Sequence, residues 1–423
     1  MSAPSLRIGL AGLGVVGATL AKRLLSGAVS GAVLTAVSAR DANRDRGIDL
    51  SGLEFVADAT TLAQSDNVDV VVELIGGSNG AALNLVRAAV AAGKPVITAN
   101  KAMLAEHADE LSLATTPISY EAAIAGGIPI VKTLREGLVG NNILALGGIL
   151  NGTCNYILTR MEEAGLSFDD ALAEAQAAGF AEADPTLDIS GADAAQKLIL
   201  LGALAFDVRP DINKWSVLGI EHITARDIAL AQEFSYVIRL VAIASCRDNQ
   251  IYMQVAPMLV RQGSALAQIK RETNAVFIEA EPVGRLILQG AGAGGGATAS
   301  AVLADIADMV AGRGRSLFAH PTKDMRESPA DGVMSAPDRM WYLRLMLTNK
   351  AGSIAQITQI LAENGVSVKE VVQRSQHGDD NRLPIGFITD KASAQAIMQV
   401  GAALQARDDI CSDIVHLPLY DDD

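Results

Sequence analysis

The residues best suited to chemistry lie between positions 182 and 197. There Glu182, Asp184, Asp188 and Asp193 precede Lys197 in a chain otherwise sparing with charge. Pro185, Leu187, Ile189 and an alanine-rich run interleave with these acids, a pattern that a fully solvated surface does not explain. Ser190 and Asp193, three residues apart, are expected to cap a helix N-terminus. Lys197 then falls one turn beyond Asp193 on the same helical face. Carboxylates with one lysine among them can grip the ammonium of an amino-acid substrate and deliver a proton to it. The spacing alone equally allows Asp193 and Lys197 to be a cap and a structural ion pair across one turn, worth a few tenths of a kcal/mol.

Those side chains need a scaffold that brings a reaction partner to them, and the N-terminal part of the chain offers one. An apolar strand over 6–11 runs into Gly12-Leu13-Gly14-Val15-Val16-Gly17 and a helix over 18–25, with a second strand over 33–37. Glycines in that context permit a tight turn, close approach of a pyrophosphate and close helix–strand packing, while the helix start offers oriented N–H groups. A dinucleotide-binding turn is the reading. An NAD site places an acid about 20 residues beyond the glycines, on a ribose hydroxyl. Here the second strand ends in Ser38-Ala39-Arg40, with Asp41 one position late. Arg40, assisted by Arg44 or Arg46, suits a 2′-phosphate, so NADP(H) is favoured and NAD(H) tolerated; a solvated basic loop is the alternative. A buried parallel strand over 69–73 leads to Gly76 and Gly77, a helix spans 81–92, and 94–101 carries Thr98 and Lys101. Ligands bind where such strands end, which places Gly76, Gly77, Thr98 and Lys101 near the nicotinamide. A cation at a helix start opposes the helix dipole, so a functional reason for Lys101 is favoured over a surface lysine.

Composition narrows the class. With 423 residues, half of them hydrophobic, the chain can build two or three domains with real cores. The net charge of −14 argues against a nucleic-acid partner. No charge-free apolar run reaches the roughly 18 residues of a membrane span, and no signal peptide is evident. Cys154, Cys246 and Cys411 lack disulfide or metal spacing, as a reducing compartment would have it. The five histidines are scattered and read as surface or capping residues. A cytoplasmic enzyme is expected.

Further motifs follow in order: Ala99-Asn100-Lys101, Tyr120-Glu121-Ala122-Ala123-Ile124-Ala125-Gly126-Gly127-Ile128-Pro129-Ile130, Gly148-Ile149-Leu150-Asn151-Gly152-Thr153-Cys154-Asn155-Tyr156, the acid-rich stretch, and Gln289-Gly290-Ala291-Gly292-Ala293-Gly294. Together they closely resemble homoserine dehydrogenases over most of residues 6–305. That resemblance implies interconversion of L-aspartate 4-semialdehyde and L-homoserine with NADP(H). It implies that Lys197 donates the proton, that Lys101 is a second active-site lysine, and that Glu182 and Asp193 hold the substrate ammonium. Asp188 matches a further substrate-side carboxylate, Gly152 and Thr153 match substrate contacts, and Gly179 and Gly294 match positions beside the cofactor. Glu121, with the carbonyls of Ile124, Gly126 and Ile128, matches a monovalent cation site, usually written as sodium. Phe180 departs from the pattern where some members carry a tyrosine. An acyl-enzyme route through Cys154 is rejected for want of a histidine base. A non-catalytic sensor of amino acid and dinucleotide would have lost Lys197 or Lys101.

The expected fold class is α/β. A Rossmann domain over 1–130 is completed by 298–318, and an α+β substrate and dimerisation domain spans 131–297, with a helix over 227–244 and a strand over 251–255. A linker over 319–339 follows. Beyond it, strand 340–347, helix 352–363, strands 366–374 and 383–389, helix 393–404 and strand 414–417 give a βαββαβ order. That ferredoxin-like module at 340–420 resembles an ACT domain, which implies threonine as an effector. Asn349 departs from the acid that many such domains carry in the first turn; the alternative is a module that only helps dimerise. With no kinase module ahead of it, the chain is expected to be the monofunctional form, and a homodimer or homotetramer.

Overall fold

The computed structural model describes residues 5–42, 44–247, 250–327, 337–348, 350–373, 382–407, 410 and 414–420. Asn349, His377, Cys411, part of the expected linker and the residues after 420 lie outside that set. Three sheets organise the chain. The first joins β1 (Leu6–Ala11), β2 (Ala32–Ser38), β3 (Glu54–Val56), β4 (Val70–Glu73), β5 (Val96–Thr98) and β6 (Ile118–Ser119) in the order β3-β2-β1-β4-β5-β6. Every pairing is parallel, and the inner strands β4 and β5 are wholly buried and read as apolar runs. The order reverses direction between β1 and β4, and ligands bind at the strand ends beside such a switch. Helix Gly295–Val310 returns to this sheet, with Ala299, Val302 and Ile306 packed among Ile8, Leu10 and Leu20.

The second sheet is mixed. It contains β7 (Asn142–Ile149), β8 (Ser216–Val217), β9 (Tyr236–Arg247), β10 (Gln250–Arg261), β11 (Thr273–Glu281) and β12 (Gly284–Ala291) in the order β12-β11-β7-β9-β10-β8. Helices Gly152–Ala164 and Ala192–Phe206 pack on it. The helix expected over 227–244 is corrected here: it spans only Ala225–Glu233, Ser235 turns the chain at φ 65°, and residues 236–247 form β9. The reason is burial. β9 is a central strand whose residues from Tyr236 to Ala242 are all buried, and a continuous apolar run does not reveal its period. Within it Arg239 is fully enclosed and pairs with Glu162 at 2.7 Å.

The C-terminal residues form an antiparallel sheet of β13 (Trp341–Thr348), β14 (Val368–Gln373), β15 (Arg382–Thr389) and β16 (Val415–Pro418), ordered β14-β15-β13-β16. Helices Ser353–Glu363 and Ala394–Gln405 cover one face. The other face meets helix Ala225–Glu233, where Arg344 on β13 reaches Asp227 with Nε at 2.8 Å and Nη2 at 3.1 Å. Asp227 also completes a capping box with Thr224, so one buried carboxylate closes a helix and docks a module.

Candidate active site

The turn after β1 is built by close contacts that only glycine allows. A Cβ on Gly12, where φ is +95°, would stand 2.3 Å from the Leu74 carbonyl oxygen, and one on Gly17 would stand 1.9 Å from that of Gly12. Gly14 faces open space, and helix Val15–Leu25 begins there without an acid in its first turn. Its free N–H groups therefore point into a cleft of about 690 Å³ lined by Gly12, Gly14, Arg40, Arg44, Ala59 and Ile75. Arg40 and Arg44 are exposed at its rim. Arg46 lines the same cleft. Its guanidinium donates to the carbonyls of Leu13, Arg44 and Asp41 at 3.2, 2.7 and 2.7 Å and ties the rim together.

At the other end of the cleft the ends of β4 and β5 are joined by Glu73, a residue the motifs did not single out. Glu73 is fully buried, and its carboxylate accepts the Ile75 and Gly76 N–H groups at 2.7 and 3.0 Å and the Thr98 hydroxyl at 2.5 Å. The Thr98 hydroxyl in turn accepts from the Asn100 N–H at 3.0 Å. The Asn100 side chain donates to the Gly77 carbonyl at 2.7 Å and caps the next helix by accepting from Met103 N–H at 3.1 Å. Lys101 is the first residue of that helix. Gly76, Gly77, Thr98 and Lys101 thus share one corner, as strand-end placement expects.

Lys101 leads to the acid-rich segment. Its Nζ stands 3.0 Å from Asp193 Oδ1, while Lys197 Nζ stands 2.7 Å from Asp193 Oδ2. Lys197, mostly buried, also donates to the Leu150 carbonyl at 2.6 Å. Asn151 donates one amide nitrogen to Asp188 Oδ1 at 2.7 Å and to Asp193 Oδ2 at 2.8 Å, and its own oxygen caps helix Gly152–Ala164 through Cys154 N–H. Burial raises the proton affinity of Asp193, but the ammonium groups of Lys197 and Lys101 outweigh it and hold the carboxyl far below the usual range. Asp188 shows the opposite balance: burial pushes it up, and the Asn151 hydrogen bond only partly offsets this. The expected Ser190–Asp193 cap is corrected. Gly191 at φ 83° is the helix N-cap, no side chain caps that end, and Asp193 is instead drawn to the two lysines.

The remaining sequence candidates lie on the segments around 152, 180 and 294. Thr153 Oγ1 donates to the Phe180 carbonyl at 2.7 Å, which brings the 179–182 loop beside Gly152 and Thr153. The Phe180 ring leans on Tyr156 with centroids 4.8 Å apart. Glu182 is exposed, and its carboxylate has no hydrogen bond or ion pair among the described residues. Gly179 and Gly294 both have positive φ with open space where a side chain would stand, and Gly294 starts helix Gly295–Val310.

The turn at 121–131 is a separate oxygen-rich site. Both Glu121 carboxylate oxygens accept backbone N–H groups, from Val131 at 2.9 Å and Lys132 at 2.8 Å. Burial pushes Glu121 up, and its neighbour Asp305, which accepts the Glu121 N–H, is pushed up to about 7 by burial and by Glu121 itself. The Ile128 carbonyl accepts from Ile130 N–H at 2.7 Å, whereas the buried carbonyls of Ile124 and Gly126 accept no hydrogen bond among the described residues. No cluster of three or more histidine, cysteine or acidic side chains suited to a metal occurs among the described residues.

A doubly wound parallel sheet with a glycine turn at β1, and a lysine–carboxylate cluster at the ends of its later strands, defines a nicotinamide-dinucleotide oxidoreductase acting on an alcohol or carbonyl. A family model described as homoserine dehydrogenase matches residues 129–307, and one described as its NAD binding domain matches 12–117. The chain belongs to the homoserine dehydrogenase family. It is 34% identical to the homoserine dehydrogenase of Pseudomonas aeruginosa over 97% of this chain and 98% of the relative. It is 38% identical to that of Helicobacter pylori over 93% and 94%. The solved homoserine dehydrogenase of Thiobacillus denitrificans matches with a TM-score of 0.90 at 34% identity, covering 99% of this chain and 98% of the other. A hyperthermophilic archaeal homoserine dehydrogenase solved in complex with NADPH matches at 27% identity with a TM-score of 0.61, covering 74% of this chain and 99% of the other. No helix among the described residues is long and apolar enough to cross a membrane.

Proposed function

We propose that this chain interconverts L-aspartate 4-semialdehyde and L-homoserine with NADP(H) preferred over NAD(H), and that Lys197 moves the proton. The observation that carries the reading is the sharing of Asp193 by Lys101 and Lys197 beside an Asn151-bridged Asp188. The nicotinamide, when bound, supplies or accepts the hydride at the substrate carbon. Lys197 has three N–H donors, two of them given to Leu150 and Asp193, so one remains for the substrate oxygen. That group protonates the alkoxide as it develops, and Lys101 adds a second positive charge beside it. Asp188 and Glu182 take the substrate ammonium. The N–H groups of Gly152 and Thr153, unpartnered among the described residues, offer a helix start to its carboxylate.

Preference for NADP(H) is supported by Arg40 and Arg44 at the cleft rim, where an acid would favour NAD(H). Gly12, Leu13, Gly14, Val15, Val16 and Gly17 cradle the pyrophosphate, and Gly76, Gly77, Thr98, Gly179 and Gly294 surround the nicotinamide half. The Glu121 turn holds a monovalent cation with the carbonyls of Ile124, Gly126 and Ile128. Support for it comes from two unsatisfied buried carbonyls beside a buried carboxylate, an oxygen set suited to a hard cation. The C-terminal module is an ACT domain that binds threonine in a cavity of about 540 Å³ lined by Thr348, Lys350, Gly352, Ser353, Gln373 and Leu383. The chain assembles as a homodimer or homotetramer through its middle sheet, whose edge strand β12 leaves Ile287 exposed. Homoserine oxidation assayed with NADP⁺ and with NAD⁺ tests the core of this reading: turnover with NADP⁺ ahead of NAD⁺ is expected, and turnover with neither rejects it. Threonine is expected to slow that turnover, and insensitivity at saturating threonine rejects the effector.

A further inference from the structure

Glu73 is a buried carboxylate that the reaction described above leaves without a task. Its carboxyl is held on both oxygens. Two of its partners are backbone N–H groups, of Ile75 and Gly76, which donate to one oxygen. The Thr98 hydroxyl, which accepts from Asn100 N–H, stands 2.5 Å from the other. The group has 0% exposure to solvent. Its place is equally defined. Glu73 ends β4 and Thr98 ends β5, on the side of the switch point away from Arg40. A dinucleotide that lays its phosphates on the β1 turn and its adenosine toward β2 carries its nicotinamide over these two strand ends. Lys101, the residue after Asn100 in the same corner, continues to Asp193 and the reacting groups.

We infer that Glu73 is a positioning residue whose charge biases the site toward the oxidised cofactor. The inference rests on the cofactor assignment made above. A nicotinamide ring is neutral when reduced and cationic when oxidised, so a fixed carboxylate beneath it stabilises one form and is indifferent to the other. Low exposure keeps that difference from being screened away. The same carboxylate ties the 75–77 turn to the Thr98–Asn100 corner, so it also sets where Lys101 begins its helix.

The test compares the full-length wild type with Glu73→Gln, by calorimetric titration of NADP⁺ and of NADPH in the absence of substrate. The inference expects NADP⁺ affinity to fall about tenfold or more, on the scale of one charge acting over several ångströms at an effective dielectric near 20, with NADPH affinity changed by less than about threefold. Equal losses for the two forms would make Glu73 a turn-holding residue only and overturn the charge effect. Should Glu73→Gln not fold, Glu73→Asp carries the test. It keeps the charge and shortens the reach, so both affinities drop while their ratio stays near wild type, and a ratio that collapses overturns the inference. A wild-type chain that binds neither form removes the cofactor assignment itself, a result distinct from equal loss in the variant.

Discussion

Replacing Lys197 by methionine keeps the length and the apolar stem of the side chain and removes only the ammonium. The structure sets what is lost. Lys197 Nζ spends two donors on Leu150 and Asp193, and its third is the only one free to meet a substrate oxygen. General acid catalysis by a placed group is worth about 10²- to 10⁴-fold, and loss of one oxyanion donor costs about 3–4 kcal/mol. These describe the same N–H and do not add, so Lys197→Met is expected to slow the chemical step by about 10³- to 10⁴-fold, or roughly 4–5.5 kcal/mol. Lys197→Arg separates the contributions. It restores a positive charge, yet a guanidinium does not release its proton near neutral pH, so it recovers only the electrostatic share.

Single-turnover oxidation of bound NADPH by aspartate semialdehyde reads the chemical step directly. NADPH affinity should stay within about twofold of wild type in both variants, because Lys197 does not line the cleft at the β1 turn. A Lys197→Met chemical step within tenfold of wild type would refute the assignment of the proton to this residue. So would a fully active Lys197→Arg, which would leave charge alone as the requirement.

Arg40→Ala is expected to weaken NADPH by at least tenfold and NADH by far less, as measured by direct titration; equal losses would remove Arg40 from phosphate recognition. Arg344→Met leaves the Asp227 carboxylate buried without its cation, and should destabilise the chain by about 3–5 kcal/mol in urea unfolding. Asp188→Asn should stabilise the fold at neutral pH. Because burial raises the folded-state value of Asp188, the native chain binds that proton more readily than the unfolded chain, and stability falls as pH rises from the ordinary carboxylate value through the raised one. Melting curves from pH 4 to 8 should show that fall in wild type and its loss in the variant.

The parts of this fold that are legible from sequence are those set by local backbone demands. Gly12 and Gly17 are glycines because a carbonyl stands where a side chain would go, so the pattern after β1 announces the turn. The C-terminal module reads correctly because its two helices bury one face only, which keeps their period of 3.6 distinct. β9 does not, because both of its faces are covered and its apolar run suits either period. The site is legible in its residue types and obscure in its partners. Asp193 and Lys197 advertise their pairing by spacing, but the second attraction that draws Asp193 away from capping comes from Lys101, the first residue of a helix far away in sequence. Glu73 and Asn151 give no signal in one sequence, since an acid at a strand end and an asparagine before a helix are common turn residues until their donors are located.

Counting lone pairs separates the roles proposed for the acids. A carboxylate offers about four acceptor positions. Asp193 has three of them filled, by Lys101, Lys197 and Asn151, and two of those partners are cations. Asp188 gives one oxygen to Asn151, also feels Thr153 and the field of Lys197, and makes no ion pair among the described residues. On the proposed reading, an incoming ammonium is attracted to Asp188 and repelled at Asp193 by the lysines already there, which favours Asp188 with Glu182 as its partners and leaves Asp193 to orient the lysines. The kinetic consequences differ. Asp188→Asn should raise the KM for homoserine by about tenfold or more with a modest loss in kcat, the signature of lost ground-state binding. Asp193→Asn should lower kcat by about 10²-fold or more with KM changed less, because the two ammonium groups then lose their common anion and no longer hold the geometry of proton transfer. A reversed pattern, with KM carried by Asp193 and kcat by Asp188, would show that the substrate ammonium displaces one lysine from Asp193 on binding.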